Sequence, residues 1–205
     1  KTLKKFEMLK KIFILLLFTS VLSAQHSVNG KMEPVGNYSW IVLYQLQGAK
    51  QNYIANAKVT NGEFSLTIPE NTEKGIYRLI YDLKNRLFVD FMYDSENVRF
   101  TFNPKYPDQF IEFTESENNK LFHSYLEAIS LPQQKLDSLQ VSYFNSSDNV
   151  QQENLVRSYY KFFSSLNALQ TDFEQQANNK LVSHFIKASA RFNTPKPIKT
   201  PNDYL

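Results

Sequence analysis

The sequence predicts an α+β protein, in which an N-terminal antiparallel β-sandwich or partly open barrel of seven to eight strands precedes a C-terminal region of four helices. Between residues 26 and 114, apolar and aromatic positions alternate with polar ones, and turns recur at intervals of roughly 8–12 residues, which is typical of sandwiches and barrels. No helical pattern separates these runs, so a parallel sheet is not expected. After Thr114 the apolar spacing changes from two residues to about 3.6, which indicates helices.

The clearest strands lie between residues 76 and 113. Every second residue from Leu87 to Tyr93 is apolar and falls on one face of a strand. Aromatic and β-branched residues favour strands, and short polar breaks separate these runs, so an antiparallel meander is predicted. The predicted strands are 76–81, 87–93, 98–102 and 110–113.

The N-terminal half supplies the remaining strands. A strand over 26–32 contains Gly30, which indicates a bulge or a close backbone approach, and the most apolar strand, 40–46, is expected to be central. The Asn61-Gly62 dipeptide between two alternating runs predicts a two-residue type I′ hairpin. The register of that hairpin pairs Val59 with Phe64, Ala57 with Leu66 and Ala55 with Ile68.

Four helices are predicted after the strands. Thr114 is expected to cap the first helix, with Glu117 three residues on completing a capping box, and Pro132 is expected to divide this helix from a second one. The third helix has large apolar residues at helical spacing, which predicts a seam packed along another helix of the same chain. This seam consists of Leu155, Tyr159, Phe162, Leu166, Leu169 and Phe173, and the last helix contains Leu181, Phe185, Ala188 and Phe192.

Residues 1–24 have the pattern of a signal peptide, with residues 1–7 as an extension upstream of a start at Met8. Two lysines precede a short apolar run and a small-residue cleavage site that ends at Ala24. The alternative is a membrane anchor, but a span needs about 20 apolar residues and this run is much shorter. No cysteine follows Ala24, which excludes a lipid anchor there. The protein is therefore predicted to be exported to the periplasm or cell envelope, with no stable membrane anchor.

The rest of the chain divides into three predicted regions. Residues 25–114 form the sandwich, residues 115–192 form the helical region, and residues 193–205, which contain three prolines, are expected to link to a missing domain. Residues 1–24 hold five lysines and one glutamate, so removing them changes the net charge from +3 to about −1. A nucleic-acid partner is not expected. Such a partner requires a basic face on the mature protein, whereas the excess positive charge lies in residues 1–24, which are predicted to be removed.

No catalytic, cofactor-binding or metal-ligating residue is predicted. The chain contains no cysteine, which removes thiol chemistry and cysteine metal sites from consideration. His26, His123 and His184 lie far apart and lack ligand partners at the usual spacings, so they are interpreted as surface side chains rather than as metal ligands or general bases.

The junction between strands and helices contains three glutamates, Glu112, Glu115 and Glu117. Paired carboxylates can perform acid–base chemistry, but acidic side chains near a helix N-terminus also complement its dipole, and this second interpretation is favoured. Bases and aromatics also alternate between residues 77 and 88, as in single-strand nucleic-acid binders. In an exported, nearly neutral chain a solvated sheet face is the better interpretation of that run.

Four stretches match a known family. They are residues 26–31 (HSVNGK), 57–64 (AKVTNGEF), 75–79 (GIYRL) and 114–121 (TESENNKL). In this order they resemble the N-terminal region of exported thioredoxin-like thiol–disulfide oxidoreductases of Bacteroidota, the TlpA, ResA and AhpC/TSA grouping. The resemblance implies a domain of unknown function, a β-sandwich plus helices, placed before a thioredoxin fold. The Cys-x-x-Cys motif of that family lies in the thioredoxin fold, so no catalytic residue is transferred to this chain.

Three functions remain open at this point. The first is a non-catalytic accessory region that positions a downstream thioredoxin-like domain or binds its protein clients, in which case thiol–disulfide oxidoreductase activity requires a redox domain after Leu205. The second is a free-standing extracytoplasmic β-sandwich that binds a glycan or a peptide. The third is a hydrolase that uses Glu112 or Glu115. No cofactor is expected for the chain itself.

Overall fold

The computed structural model describes residues 25–178 and 180–200, in which eight strands form two four-stranded sheets. The predicted signal peptide and residues 201–205 of the predicted linker lie outside the described residues. The strands are β1 (Ser27–Met32), β2 (Trp40–Gln47), β3 (Lys50–Lys58), β4 (Glu63–Thr67), β5 (Gly75–Asp82), β6 (Leu87–Tyr93), β7 (Val98–Phe102) and β8 (Ile111–Glu115).

The two sheets pack face to face around a single apolar core. Sheet one has the strand order β4-β1-β7-β8, and sheet two has the order β3-β2-β5-β6. Buried side chains from both sheets meet, among them Met32 and Phe100 from sheet one and Ile41 and Tyr77 from sheet two. The predicted sandwich and the interior position of β2 are confirmed, and the sheets do not close into a barrel.

One strand pair departs from the predicted antiparallel arrangement. β1 and β7 are parallel neighbours in the middle of sheet one, with Gly30 opposite Phe100. Parallel neighbours need a long crossover, and here the whole of sheet two, with β4, lies between β1 and β7 in the chain. The crossover therefore consists of strands rather than a helix. For this reason the absence of a helical pattern between the strands did not exclude a parallel pair.

The turn at Asn61-Gly62 forms, but the hairpin predicted around it is wrong. Asn61 and Gly62 have φ angles of 53° and 79°, and the flanking residues Thr60 and Glu63 exchange hydrogen bonds of 2.9 and 3.0 Å. Beyond this bridge β3 pairs with β2, and β4 pairs with β1. Because the chain changes sheets at the turn, both strands direct their apolar residues to the same core, and this produces the alternation expected of a hairpin.

Gly30 lies in a regular ladder rather than at the predicted bulge, and the close approach to its backbone is made by an aromatic ring. Gly30 lies opposite Phe64 in the β1–β4 ladder, and the Phe64 ring covers it so closely that a Cβ atom at Gly30 would lie 2.1 Å from Cζ of Phe64. The aromatic ring therefore fills the space that the glycine leaves on the inner face of the sheet.

We expect Gly30→Ala to lower the free energy of unfolding by roughly 1–3 kcal/mol, the usual cost of overpacking a filled core. Urea unfolding of the variant measures this loss. In a Phe64→Leu background the obstructing ring is absent, so the same glycine substitution should cost much less. An equal loss in both backgrounds would contradict the close approach.

Three helices, not four, are present in the described residues: α1 (Glu117–Asn145), α2 (Asn149–Gln176) and α3 (Val182–Ser189). Pro132 lies inside α1 instead of dividing it. Ile129 and Leu136, on either side of the proline, both pack on the same cluster against α2. We attribute the continuity of α1 to this packing, which outweighs the roughly 3 kcal/mol that a helical proline costs.

The remaining helix predictions are confirmed in part. Tyr159, Leu166 and Phe173 of the predicted seam are buried, and α2 packs along α1 as an intrachain hairpin. The predicted cap at Thr114 is wrong, because β8 continues to Glu115 and Ser116 caps α1. Phe192 lies beyond the end of α3 and is exposed.

Residues 193–200 lie against the helical hairpin. The side-chain amide of Gln140 donates to the carbonyl oxygen of Ile198 at 2.8 Å and accepts from its N–H at 3.1 Å. The Tyr159 hydroxyl donates to the Thr194 carbonyl oxygen at 3.1 Å, and Pro197 is buried. Within the described ranges, none of the helices combines the length and apolar character that a membrane span requires.

Candidate functional site

A groove runs along one side of the sandwich. On that side β6 is the edge strand of sheet two, and β8 is the edge strand of sheet one. It encloses about 310 Å³ and is lined by β6, by Phe113 of β8, by α1 and by the loop that contains Pro107 and Asp108. On the α1 side Phe122 and Leu126 provide apolar surface. Concave, mostly apolar sites with a few polar groups are the usual form of binding sites, so this groove is the candidate functional site.

The side chain of Asn119 fixes α1 beside this groove. Its Oδ1 accepts from the N–H of Met92 at 2.8 Å, and its Nδ2 donates to the carbonyl oxygen of Met92 at 2.7 Å. Nδ2 also donates to Oγ of Ser116 at 2.7 Å. Asn119 is buried. Its amide therefore binds the edge of β6 as a neighbouring strand would, and we call this pair of bonds the Asn119 clamp.

A carboxylate from the loop between β6 and β7 binds the N-terminus of α1. Glu96 accepts a hydrogen bond of 2.6 Å from the Ser116 hydroxyl and one of 3.2 Å from the N–H of Glu117. The first N–H groups of a helix lack partners within the helix, and negative charge near them is favourable. Glu96 therefore joins the sandwich to the helix start at the same place as the Asn119 clamp.

Asn118 connects the same junction to α3. Its Oδ1 accepts from the N–H of Val182 at 3.0 Å, and its Nδ2 donates to Asp94 and Glu96, both at 3.2 Å. Burial alone would raise the pKa of Asp94, but the hydrogen bond and the charge of Lys74, 2.6 Å away, outweigh it. The pKa of Asp94 therefore lies below its ordinary value.

We expect the contribution of Asp94 to stability to depend on pH. Because its pKa is lower in the folded chain, the folded state binds fewer protons, so the stabilisation is present above about pH 4 and is lost as the pH falls through the folded pKa. Asp94→Asn should lower the free energy of unfolding at pH 7 and converge with the wild type near pH 2–3, as measured by urea unfolding. Asp172→Asn on the exposed face of α2 is the matched control, and a pH-independent loss for Asp94→Asn would contradict this account.

In the described part of the chain, three titratable side chains line the groove. Asp90 and Asp108 line it, together with His123. Asp90 accepts two hydrogen bonds of 2.7 Å from Arg78, which raise the pKa of Arg78. The Arg78 guanidinium also lies 3.6 Å from the centre of the Phe88 ring, so it is held on the outer face of sheet two. No lysine or arginine is among the described residues that line the groove.

The three glutamates at the strand–helix junction have different surroundings. Glu115 forms an ion pair of 2.8 Å with Arg99, and Glu117 forms one of 3.2 Å with Lys120. Glu112 is exposed opposite Thr101 in the β7–β8 ladder. Glu117 lies in the first turn of α1, where its charge complements the helix dipole as the favoured interpretation expects, whereas Glu115 lies in β8 and forms a surface ion pair.

The histidines are also separated. His26 packs edge-to-face on Tyr93, with ring centres 6.0 Å apart, His184 is exposed, and His123 lies 3.4 Å from Glu127 at the side of the groove. Among residues 25–178 and 180–200, no three His, Cys, Asp or Glu side chains are grouped so that they could hold a metal ion. Of the three histidines, His123 lines the groove.

The run of bases and aromatics between residues 77 and 88 does not form a single surface. The hydroxyls of Tyr77 and Tyr81 donate to the carbonyl oxygens of Glu73 and Pro104 at 2.5 and 2.9 Å. Burial raises the pKa of both tyrosines to about 12. The pleat of β5 thus places these tyrosines in the core and Arg78 on the outer face.

The groove and the Asn119 clamp were not predicted from the sequence. One signal was present: Asn118 and Asn119 occupy the first turn of a helix, where asparagine is a poor helix former that favours bonds to nearby backbone. The partner of that amide, Met92, lies 27 residues earlier. No local pattern predicts a contact between residues so far apart.

Comparison with known proteins identifies a domain in the first part of the chain. Residues 26–122 match the family described as Domain of unknown function (DUF4369). The match contains all eight strands and ends in α1 shortly after Asn119, so it includes both partners of the clamp. No curated protein matches the chain.

Proposed function

We propose that this chain is the non-catalytic accessory region of an exported thioredoxin-like thiol–disulfide oxidoreductase, and that it binds the protein clients of that enzyme in the groove between β6, β8 and α1. The family resemblance of the four quoted stretches supports the first part of the proposal. The groove supports the second part and is the observation on which it depends. In this proposal a redox domain beyond Leu205 supplies the thiols, since the chain itself contains no cysteine.

The chemistry of the groove suits an unfolded client. Phe113, Phe122 and Leu126 offer apolar surface to side chains that a folded protein would bury, and Leu126 is 42% exposed. Asp108 offers negative charge to basic residues of the client, whereas both carboxylate oxygens of Asp90 are bound by Arg78. A substrate whose cysteines are to be oxidised or reduced exposes such segments before it folds, so client capture next to a redox domain raises the effective concentration of its thiols.

Two leucines of α1 provide a matched test of client binding. Leu126 lines the groove, whereas Leu131 is 61% exposed and does not line it. We expect Leu126→Glu to weaken binding of reduced, carboxymethylated α-lactalbumin at least tenfold, because it places a charge on the apolar wall of the groove. Leu131→Glu should leave the affinity within about twofold. Fluorescence anisotropy of the labelled client measures both affinities.

Two results would contradict client binding in the groove. One is the absence of measurable binding to the wild-type protein. The other is an equal loss of affinity in Leu126→Glu and Leu131→Glu, which would indicate a general effect of added charge on α1. Circular dichroism of both variants establishes that the helices are retained.

A specific observation also favours a glycan-binding module as a second candidate. On the outer face of sheet two, Trp40 and Tyr53 are 57% and 56% exposed, and Tyr53 packs edge-to-face on Tyr44 at 6.2 Å. Exposed aromatic rings can stack on sugar rings. In affinity electrophoresis with soluble polysaccharides, retardation that Trp40→Ala abolishes and Leu126→Glu leaves unchanged would favour this candidate over client binding.

A further inference from the structure

The outer edge of β6 presents hydrogen-bonding groups beyond those that Asn119 occupies. The N–H and C=O of Met92 point away from β5, since both bind the Asn119 side chain. Backbone groups alternate in direction along a strand, so the N–H and C=O of Asp90 and Phe88 point to the same side. β6 ends sheet two, and no described residue outside the sheet forms a hydrogen bond with these four groups.

The space beside these groups is the groove. All five residues from Phe88 to Met92 line it, so the cavity follows the strand edge rather than touching it at one point. An added strand lies about 4.8 Å from its neighbour. Side chains of such a strand would point alternately to two sides. One set would face Phe113 between the sheets, and the other set would face Phe122 and Leu126 on α1. An unpaired edge next to apolar surface is the usual receptor for strand addition.

We infer that β6 accepts an extended segment of the client as a fifth strand of sheet two, with main-chain hydrogen bonds to Asp90 and Phe88. This inference rests on the proposed function and specifies how the groove holds its peptide. The two faces of the bound segment meet different parts of the groove, Phe113 between the sheets and Phe122 with Leu126 on α1, so its register on β6 depends on which side chains fit each part. The segment has a basic residue near the carboxylate of Asp108, which has no lysine or arginine beside it in the groove lining, whereas Asp90 is already paired with Arg78.

The Asn119 clamp sets the limit of the added strand. It occupies the backbone groups of Met92, so a peptide cannot pair with β6 beyond Asp90 in that direction. The same amide therefore closes one end of the strand edge and leaves the other end open. The binding site consists of two backbone positions, Asp90 and Phe88, with the start of α1 as its boundary.

A proline substitution separates main-chain pairing from side-chain effects. Asp90→Pro removes an N–H that points away from β5, a position where an edge strand tolerates proline, whereas Asp90→Ala retains the N–H. Both variants lose the ion pair with Arg78. The probe is a labelled synthetic octapeptide of alternating valine and threonine with an added lysine at each end. We expect it to bind Asp90→Pro at least tenfold more weakly than Asp90→Ala in fluorescence anisotropy.

Peptides with modified backbones test the same inference on the unaltered protein, including the case in which Asp90→Pro does not fold. One peptide is N-methylated at every valine and the other at every threonine. Only one of these two sets of N–H groups can face β6, so one peptide should lose at least tenfold in affinity while the other retains most of it. Equal affinities for the two peptides would overturn strand addition.

Other results distinguish this inference from the proposed function. Binding that Leu126→Glu abolishes, but that Asp90→Pro and N-methylation leave unchanged, would overturn strand addition and support the groove as a client site. If the octapeptide does not bind but α-lactalbumin does, strand addition is likewise overturned and the groove is still supported as a client site. Concentration-dependent dimers that Asp90→Pro dissociates would show a second copy on the β6 edge and would overturn the inference.

Discussion

The hydrogen bonds between Asn119 and Met92 hold the helical layer to the sandwich. Met92 lies on the edge of sheet two, and its N–H and C=O are buried by α1. A buried, unpaired backbone group costs about 1–3 kcal/mol, so α1 can cover this edge only if it supplies a donor and an acceptor. A side-chain amide supplies both, and the position of the groove beside α1 depends on this pairing.

Side-chain amides meet the same requirement elsewhere in the helical region. Gln140 binds both backbone groups of Ile198, and Asn118 accepts from the N–H of Val182 at the start of α3. In each case a helix binds a segment that has no strand or helix partner for those groups. Apolar contacts such as Met92 with Tyr125 then fill the space between layers. The amides thus determine where the segments join, and the apolar side chains supply the burial.

Alternation and spacing predicted the strands and the α1–α2 seam, because both depend on which face of an element is buried. They could not predict strand order: Ala57 and Leu66 face one core from different sheets, and the same alternation would arise in a hairpin. Local rules also failed at Pro132, where packing on α2 outweighs a helix-breaking residue. The groove lay beyond sequence reasoning, since it depends on a contact between Asn119 and a strand 27 residues earlier.

Amide hydrogen exchange along β6, followed by NMR, tests the central claim most directly. Val89 and Phe91 should be protected by their bonds to β5, and Met92 should be protected by Asn119, whereas Phe88 and Asp90 should exchange rapidly from the open edge. In Asn119→Ala the protection of Met92 should be lost. Rapid exchange of Met92 in the wild-type protein, or protection of Asp90 equal to that of Met92, would contradict the account.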